Sequence, residues 1–410
     1  MCRLAKTFLL ILVLGCEHKK FLNPYDPTNL PPAPELQYPE DSSNTMGNPP
    51  FFQWDLKEDS LNPFFGEDMM FELQVGTNPE FTEGVFVSST IYYKTYIPNK
   101  LFGAVNYYWR VRARYIETDY GEWSMVKRFS VRFPVVATLA TPSGSDMVLN
   151  QNYAFLGCNP RLWVVDITDP ANPQNICTYA DTIPQFSKIT IKGNILYAVY
   201  ENTLGEYDIQ NITSPVPKRY LKLPYFSVFD LAVGGDFLYL TNPYKTYKID
   251  IVDGDSLHII DSLQYGGSFI EIQDGYAYLL NQYYIYFINT TNNSVTTLHL
   301  PDYAYSLFIA GNYCYVAGYN IWVYDITNPS NPSLVKTISK TANAISASGK
   351  YLFFSAYDYQ YEDYAIYVYD INDILTPQYL GDIKYCGGLI DTKCNYLFVT
   401  VPTFNIIRYE

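Results

Sequence analysis

The sequence predicts an all-β protein with two folded parts, a small β-sandwich followed by a ring of seven four-stranded units. Three observations lead there. Short alternating strands are separated by turn signals, with no helical periodicity between them. From residue 134 onward an aromatic strand pattern returns about every 40 residues, the length of one four-stranded unit. The 410 residues are 48% hydrophobic and 17% aromatic, with 42 Tyr, which suffices for sizeable cores and excludes wholesale disorder.

The first 15 residues are an address. Arg3 and Lys6 precede a short apolar run at residues 8–14. That run falls short of the ~20 residues needed to span a bilayer and has the form of a secretory signal. Val13-Leu14-Gly15-Cys16 resembles the lipobox of bacterial lipoproteins. The resemblance implies cleavage before Cys16 and diacylation of its sulfur, so the expected partner at this end is a membrane, through acylated Cys16. The expected place is the bacterial cell envelope, with the outer membrane or cell surface ahead of the inner membrane. Residues 16–32 are rich in Pro and Asn, a composition that predicts an extended tether.

Residues 33–133 carry the predicted sandwich. Its strands include Phe51-Phe52-Gln53-Trp54, Met70-Phe71-Glu72-Leu73-Gln74-Val75 and Tyr107-Tyr108-Trp109-Arg110-Val111-Arg112-Ala113, with Trp123 to Val131 closing the set. Trp54, the Phe71–Val75 strand with Phe81, and Trp109 paired with Trp123-Ser124 resemble a fibronectin type III domain. That family implies a spacer or binding module. Arg110 and Arg112 alternate with Trp109 and Val111, so they are expected to face outward and stack on neighbours.

Residues 134–410 hold the repeat. One strand recurs around Phe155, Tyr197, Tyr239, Tyr278, Tyr315, Phe353 and Phe398, with steps of 42, 42, 39, 37, 38 and 45 residues. A second ends on Asp166, Asp208, Asp250, Asn289, Asp325, Asp370 and Glu410. Both registers count seven units, which predicts a seven-bladed β-propeller. The last unit stops before its outer strand, while Pro134-Val135-Val136-Ala137-Thr138-Leu139 stands ahead of the first unit as an outer strand without a blade. Pairing the two closes the ring and removes both edges. The units at Trp163–Pro173 and Trp322–Pro332, with Val-Val-Asp-Ile-Thr-Asp-Pro and Val-Tyr-Asp-Ile-Thr-Asn-Pro, resemble the LVIVD repeat. That family implies architecture and no common reaction.

Several function classes drop out. The net charge is −14, from 27 basic and 41 acidic residues, so the basic face of a nucleic-acid binder is missing. Only three His occur, at 18, 258 and 299, with no spacing that makes a metal pair. No nucleotide, dinucleotide or serine-hydrolase motif appears. No cofactor and no metal are expected. The acidic turn at Asp250, Asp253 and Asp255 lacks the ligand series and terminal Glu of a calcium loop. Repeated in every unit, the Asp at the third-strand end is read as accepting backbone N–H groups of its own turn. Beyond Cys16, cysteines 158, 177, 314, 386 and 394 form no dense framework and are read as isolated thiols.

The candidate site is aromatic. Crossings between units carry Phe186, Tyr225, Phe226, Tyr265, Tyr303, Tyr305 and Tyr385, and the sixth unit has a longer loop bearing Tyr359 and Tyr361. In a propeller these segments share one face, and Tyr offers large contact area at low entropic cost. The expectation is a non-catalytic binding or adhesion module for a protein or glycan, with these nine residues as ligand contacts and no catalytic residue. The alternative is an envelope hydrolase or lyase with acidic and Tyr groups in the central funnel. An acidic cluster there favours the enzyme; an uncharged aromatic funnel favours binding.

Overall fold

The computed structural model describes residues 30–56, 69–115, 119–141, 144, 146–158, 161–179, 188–224, 227–252, 254–359 and 362–410. These residues contain strands and turns and no helix, and they fall into two compact units.

The first unit comprises the described residues among 30–42, 52–96 and 107–128. Its strands Glu35–Tyr38, Phe52–Asp55 and Thr95–Tyr96 form one sheet. Met69–Gly76 pairs antiparallel with Phe86–Ile91 on one side and Tyr107–Tyr115 on the other. Alternation explains the core: Trp109, Val111 and Ala113 are fully buried, and the residues between them point the other way. Phe52 packs edge-on against Trp109 with centroids 5.0 Å apart, and Trp54 against Phe71 at 5.5 Å. On the opposite side Arg110 lies 4.2 Å over both Phe81 and Trp123, and Arg112 4.3 Å over Tyr120. Gln74 and Glu72 accept the two guanidiniums. The arginines of this strand therefore stiffen the sheet face by stacking.

The second unit runs from 129 to 410 and also takes in 43–51 and 97–106. It is a β-propeller of seven four-stranded sheets. The inner strands are Asp146–Asn150, Lys188–Lys192, Asp230–Gly234, Phe269–Gln273, Ala304–Ala310, Ala344–Ser348 and Gly387–Lys393. Each is the first of its blade, and each lies beside the next around a closed ring. Blade 7 takes its outer strand from Val135–Leu139, which pairs antiparallel with Phe404–Arg408. The ends of the repeat thus complete one blade together.

Apolar clusters hold the blades, one at every boundary among the described residues. The repeating aromatics found in the sequence build them. Phe155 joins blades 1 and 2, Tyr278 joins 4 and 5, and Phe398 joins 7 and 1. The repeated Asp does its expected work in the turn. Asp166 accepts the N–H of Thr168 at 2.8 Å, Asp208 that of Gln210 at 2.9 Å, and Asp325 that of Thr327 at 2.8 Å. Asn289, which replaces it in blade 4, accepts from Thr291 at 3.0 Å.

Segments 43–51 and 97–106 join this unit through one buried side chain. Asn48 donates to the carbonyls of Phe102 and Phe133 at 3.0 and 2.8 Å and accepts the Phe102 N–H at 2.8 Å. Its backbone bonds Asp382 and Lys384 in the outer strand of blade 6. Gly381 permits the approach: its φ is +145°, and a Cβ there would meet the Met46 carbonyl oxygen at 1.6 Å. Cys177, Cys314, Cys386 and Cys394 are free thiols.

Candidate functional site

The inner strands surround a central channel of about 730 Å3. Because strands alternate, each inner strand turns one set of side chains toward the channel axis and the alternate set between blades. Ile189 and Leu307 are buried between blades and only edge the channel, while the alternate set lies nearer its axis, with Val148, Phe269 and Phe308 also packing against the clusters between blades. The channel residues form two rings. The first comprises Asp146, Lys188, Asp230, Phe269, Ser306, Ala344 and Leu389, all of which line the channel. The second comprises Val148, Thr190, Ala232, Glu271, Phe308, Ser346 and Asp391, of which all but buried Ser346 line it.

Register confirms the equivalence of these positions. Val148, Thr190, Ala232, Glu271, Phe308, Ser346 and Asp391 stand opposite Phe155, Tyr197, Tyr239, Tyr278, Tyr315, Phe353 and Phe398. The second ring therefore lies seven residues before each repeating aromatic, and the first ring nine before it.

Electrostatics divide the two rings. In the first, the Lys188 ammonium sits between Asp146 at 3.6 Å and Asp230 at 3.9 Å. Burial works against its charge, but the two carboxylates outweigh this and hold its pKa above the ordinary lysine value. Asp146 also accepts the Ile189 N–H at 2.7 Å, and Asp230 the Ile270 N–H at 3.0 Å. Each bond ties an inner strand to the next blade. Burial raises the carboxyl of Asp146, and pushes that of Asp230 up to about 6.

The second ring is less compensated. Burial, then the charges of Asp230 and Asp391, push the Glu271 carboxyl up to about 8. Burial takes Asp391 to about 6, although it accepts the Thr392 N–H at 2.7 Å. The carboxyl of Glu271, on blade 4, has no hydrogen bond or ion pair to any described residue. Among the described residues no three His, Cys, Asp or Glu converge as a metal shell; Asp253 lies outside them.

The expected tyrosines distribute unevenly. Crossings into inner strands and turns between second and third strands share the face at the channel mouth, because strand directions alternate through each blade. Tyr303 and Tyr305 form a continuous row there: Tyr303 packs on Tyr283 at 5.6 Å and on Tyr305 at 5.1 Å, and Tyr305 on Tyr319 at 5.9 Å. Hydrogen bonding with Tyr319, then burial, pushes the Tyr305 hydroxyl up to about 12. Tyr283 and Tyr319, 44% and 54% exposed, were not among the expected contacts. The blade 6 insertion is a hairpin rather than a loop, since Tyr357 pairs with Tyr364 and Asp358 with Asp363; its Tyr-rich alternation suits a strand. Tyr359, at its tip, is 86% exposed and packs on Tyr357 at 5.1 Å. Tyr364 lines the channel, over Gly387, where a Cβ would meet it at 2.7 Å.

Tyr265 instead packs inward on Tyr286 at 4.7 Å, within the cluster between blades 3 and 4. Tyr385, at φ +57°, lines a separate cleft of about 500 Å3 with Thr138 and Pro402. Phe186, Tyr225, Phe226 and Tyr361 lie outside the described residues, as does Cys16.

Comparison with known proteins agrees with the architecture. The LVIVD repeat matches residues 143–181 and 301–340, which are blades 1 and 5. No curated protein sequence matches the chain. The structure is similar to the WD40 domain of Neurospora crassa Pan2, with 10% identity over 68% of this chain and 95% of that one, at a TM-score of 0.52. It is likewise similar to the WD40 β-propeller domain of Doa1, with 10% identity over 68% and 97% of the two chains, at a TM-score of 0.51. At such identities the likeness concerns the fold alone.

Proposed function

We propose that this chain, which carries LVIVD repeats in a propeller, is a lipid-anchored, non-catalytic binding or adhesion module of the bacterial cell envelope. Its partner, a protein or glycan, meets the tyrosine-bearing face at the channel mouth. The observation that carries this reading is the row Tyr283, Tyr303, Tyr305 and Tyr319, continued on blade 6 by Tyr357 and Tyr359. Exposed Tyr283, Tyr319, Tyr357 and Tyr359, with half-buried Tyr303 and Tyr305 packed between the first two, offer a preformed surface for stacking and hydrogen bonding. The first unit, with Trp54 and Trp109 at its core, is read as a fibronectin type III-like sandwich that spaces the propeller from the anchor.

The combined variant Tyr319→Ala with Tyr359→Ala tests the face. Exposed changes of this kind cost about 0.5 kcal/mol or less each, so thermal unfolding should be nearly unchanged. Capture on a glycan array or from envelope extract should fall at least tenfold. Undiminished capture overturns the reading. The anchor is tested separately through Val13-Leu14-Gly15-Cys16. Cys16→Ser should move the protein from the membrane to the soluble fraction or block its processing. A mature wild-type mass without acyl chains argues against lipidation.

A second reading, an envelope hydrolase or lyase, is favoured by one observation, the raised carboxyls of Glu271 and Asp391 in a concave site. It requires turnover that Asp391→Asn abolishes while partner binding persists. The binding reading requires no turnover.

A further inference from the structure

We propose that the second ring of the propeller channel is a binding site for one organic cation, an alkylammonium or alkylguanidinium group, held by Glu271 and Asp391 with its apolar stem against Phe308 and Phe269. The proposal rests on reading the unit as a binding module and deepens it by naming the chemistry the channel selects.

The walls supply both halves of such a site. Phe269, Phe308 and Leu389 line the channel beside the carboxyls, an apolar and aromatic lining that suits a hydrocarbon stem and a cation near ring faces. The Glu271 carboxyl makes no hydrogen bond or ion pair with any described residue, and Glu271 lines the channel. Phe308 follows it on the next blade, and Asp391 stands three blades further on, across the channel. Among the described residues that line the channel, the one cation, Lys188, is already held between Asp146 and Asp230 in the other ring. A bare metal ion suits the site less well, because no three donors converge among the described residues and two carboxyls on opposite walls cannot close a metal shell. A cation on a stem can lie between those walls. The space, about 730 Å3, lies within the range of small-molecule sites.

The charge arrangement gives the site a signature. The charged groups that act on Glu271 are Asp230 on blade 3 and Asp391 on blade 7; the Lys188 ammonium is held by Asp146 and Asp230 in the other ring, and on blade 5 the buried Cys314 thiol, held neutral by burial and by the Glu271 charge, is the titratable neighbour. With its carboxyl pushed up to about 8, Glu271 carries a proton at neutral pH. An arriving cation displaces that proton, so binding releases close to one proton at pH 7. Affinity for a cation that does not itself titrate in this range rises on the order of tenfold from pH 6.5 to pH 8.5.

The experiment is calorimetric titration of the full chain. The probes are n-pentylammonium, an N-acetylarginine amide, a lysine-containing tetrapeptide and, as the neutral isostere, 1-pentanol. Saturable one-to-one binding of the cations and none of the alcohol is expected. Glu271→Gln and Asp391→Asn should each weaken it at least tenfold, and Glu271→Gln should abolish the proton release. A tetrapeptide that binds as tightly as n-pentylammonium identifies a basic side chain of a partner as the natural occupant; a free cation that binds far better identifies a small amine. Absence of saturable binding, equal binding of 1-pentanol, or unchanged affinity in Glu271→Gln overturns the proposal. Circular dichroism of both variants separates loss of the site from loss of the fold. Tyr319→Ala with Tyr359→Ala should leave ammonium affinity intact, so failure of the face and failure of the channel are told apart.

Discussion

Replacing Val135–Leu139 with glycine and serine at unchanged length should lower the unfolding midpoint of the propeller by roughly 10 °C. The strand is the fourth of blade 7, and its Val136, Ala137 and Leu139 pack in the cluster joining blades 7 and 1, while Val135 packs in the cluster joining 6 and 7. These side chains are half-buried, so each large aliphatic contributes about 1 kcal/mol, half of a full burial. Glycine in a strand adds about 0.5–1 kcal/mol per position in lost conformational restriction. The sum, about 5 kcal/mol, converts at roughly 2–3 °C per kcal/mol for a unit this size. The change also strips the partner from Phe404–Arg408, whose Phe404, Ile406 and Ile407 are fully buried, leaving a hydrophobic edge open to other chains. Aggregation on heating should therefore accompany the lower midpoint. Differential scanning calorimetry with light scattering measures both. A midpoint within about 2 °C of the wild type would show that the ring does not depend on this strand.

That closure was readable from the sequence because an outer strand stood ahead of the first unit and was missing from the last. The seven units were readable for a related reason. Each blade must pack an aromatic against the next blade, so Phe155, Tyr197 and their counterparts recur under one constraint. The turn aspartates recur because each satisfies the same N–H. Channel positions carry no such constraint. No single partner recurs across them, so Val148, Thr190, Glu271, Phe308 and Asp391 differ in type and leave no repeating signal, although a count of seven back from each aromatic finds them.

The tyrosine face was partly legible. Tyr303 and Tyr305 announce themselves in a crossing, but Tyr283 and Tyr319 sit in short turns between second and third strands, where only the longest insertion had drawn notice. Tyr265 could not be separated from them by sequence, since its inward packing depends on where Tyr286 lies. The placement of 43–51 and 97–106 with the propeller was illegible in the sequence. It depends on Asn48 meeting carbonyls 54 and 85 residues away.

The channel carboxyls should make the propeller less stable as pH rises from 5 to 8.5, the reverse of the usual behaviour of exposed acids. The folded-state values of Asp230 and Asp391, about 6, and of Glu271, about 8, all lie above those of free side chains, near 3.9 and 4.3. The folded protein therefore holds more protons than the unfolded chain across this window, and stability falls with rising pH until Glu271 has ionised. Lys188, held above its ordinary value, loses its contribution only at higher pH, outside the window. At the acid end the signs reverse. Turn aspartates such as Asp325, held below the ordinary value by hydrogen bonds from Thr327, stabilise the fold above that value and lose this as pH falls through it. The two trends place maximum stability near pH 4, where the unfolded carboxyls begin to ionise. At about 1.4 kcal/mol per pKa unit, Glu271 alone accounts for on the order of 3–5 kcal/mol between pH 5 and 8.5. Glu271→Gln replaces the carboxyl with a neutral group of the same shape. It should match the wild type at pH 5, where Glu271 is protonated, and unfold roughly 6–10 °C higher at pH 8.5. Asp325→Asn should leave the alkaline limb untouched. Thermal unfolding of the three proteins at half-unit pH steps decides the matter. A wild-type midpoint that rises toward pH 8.5, or a Glu271→Gln variant that keeps the full wild-type slope, would remove Glu271 from the centre of the channel's electrostatics.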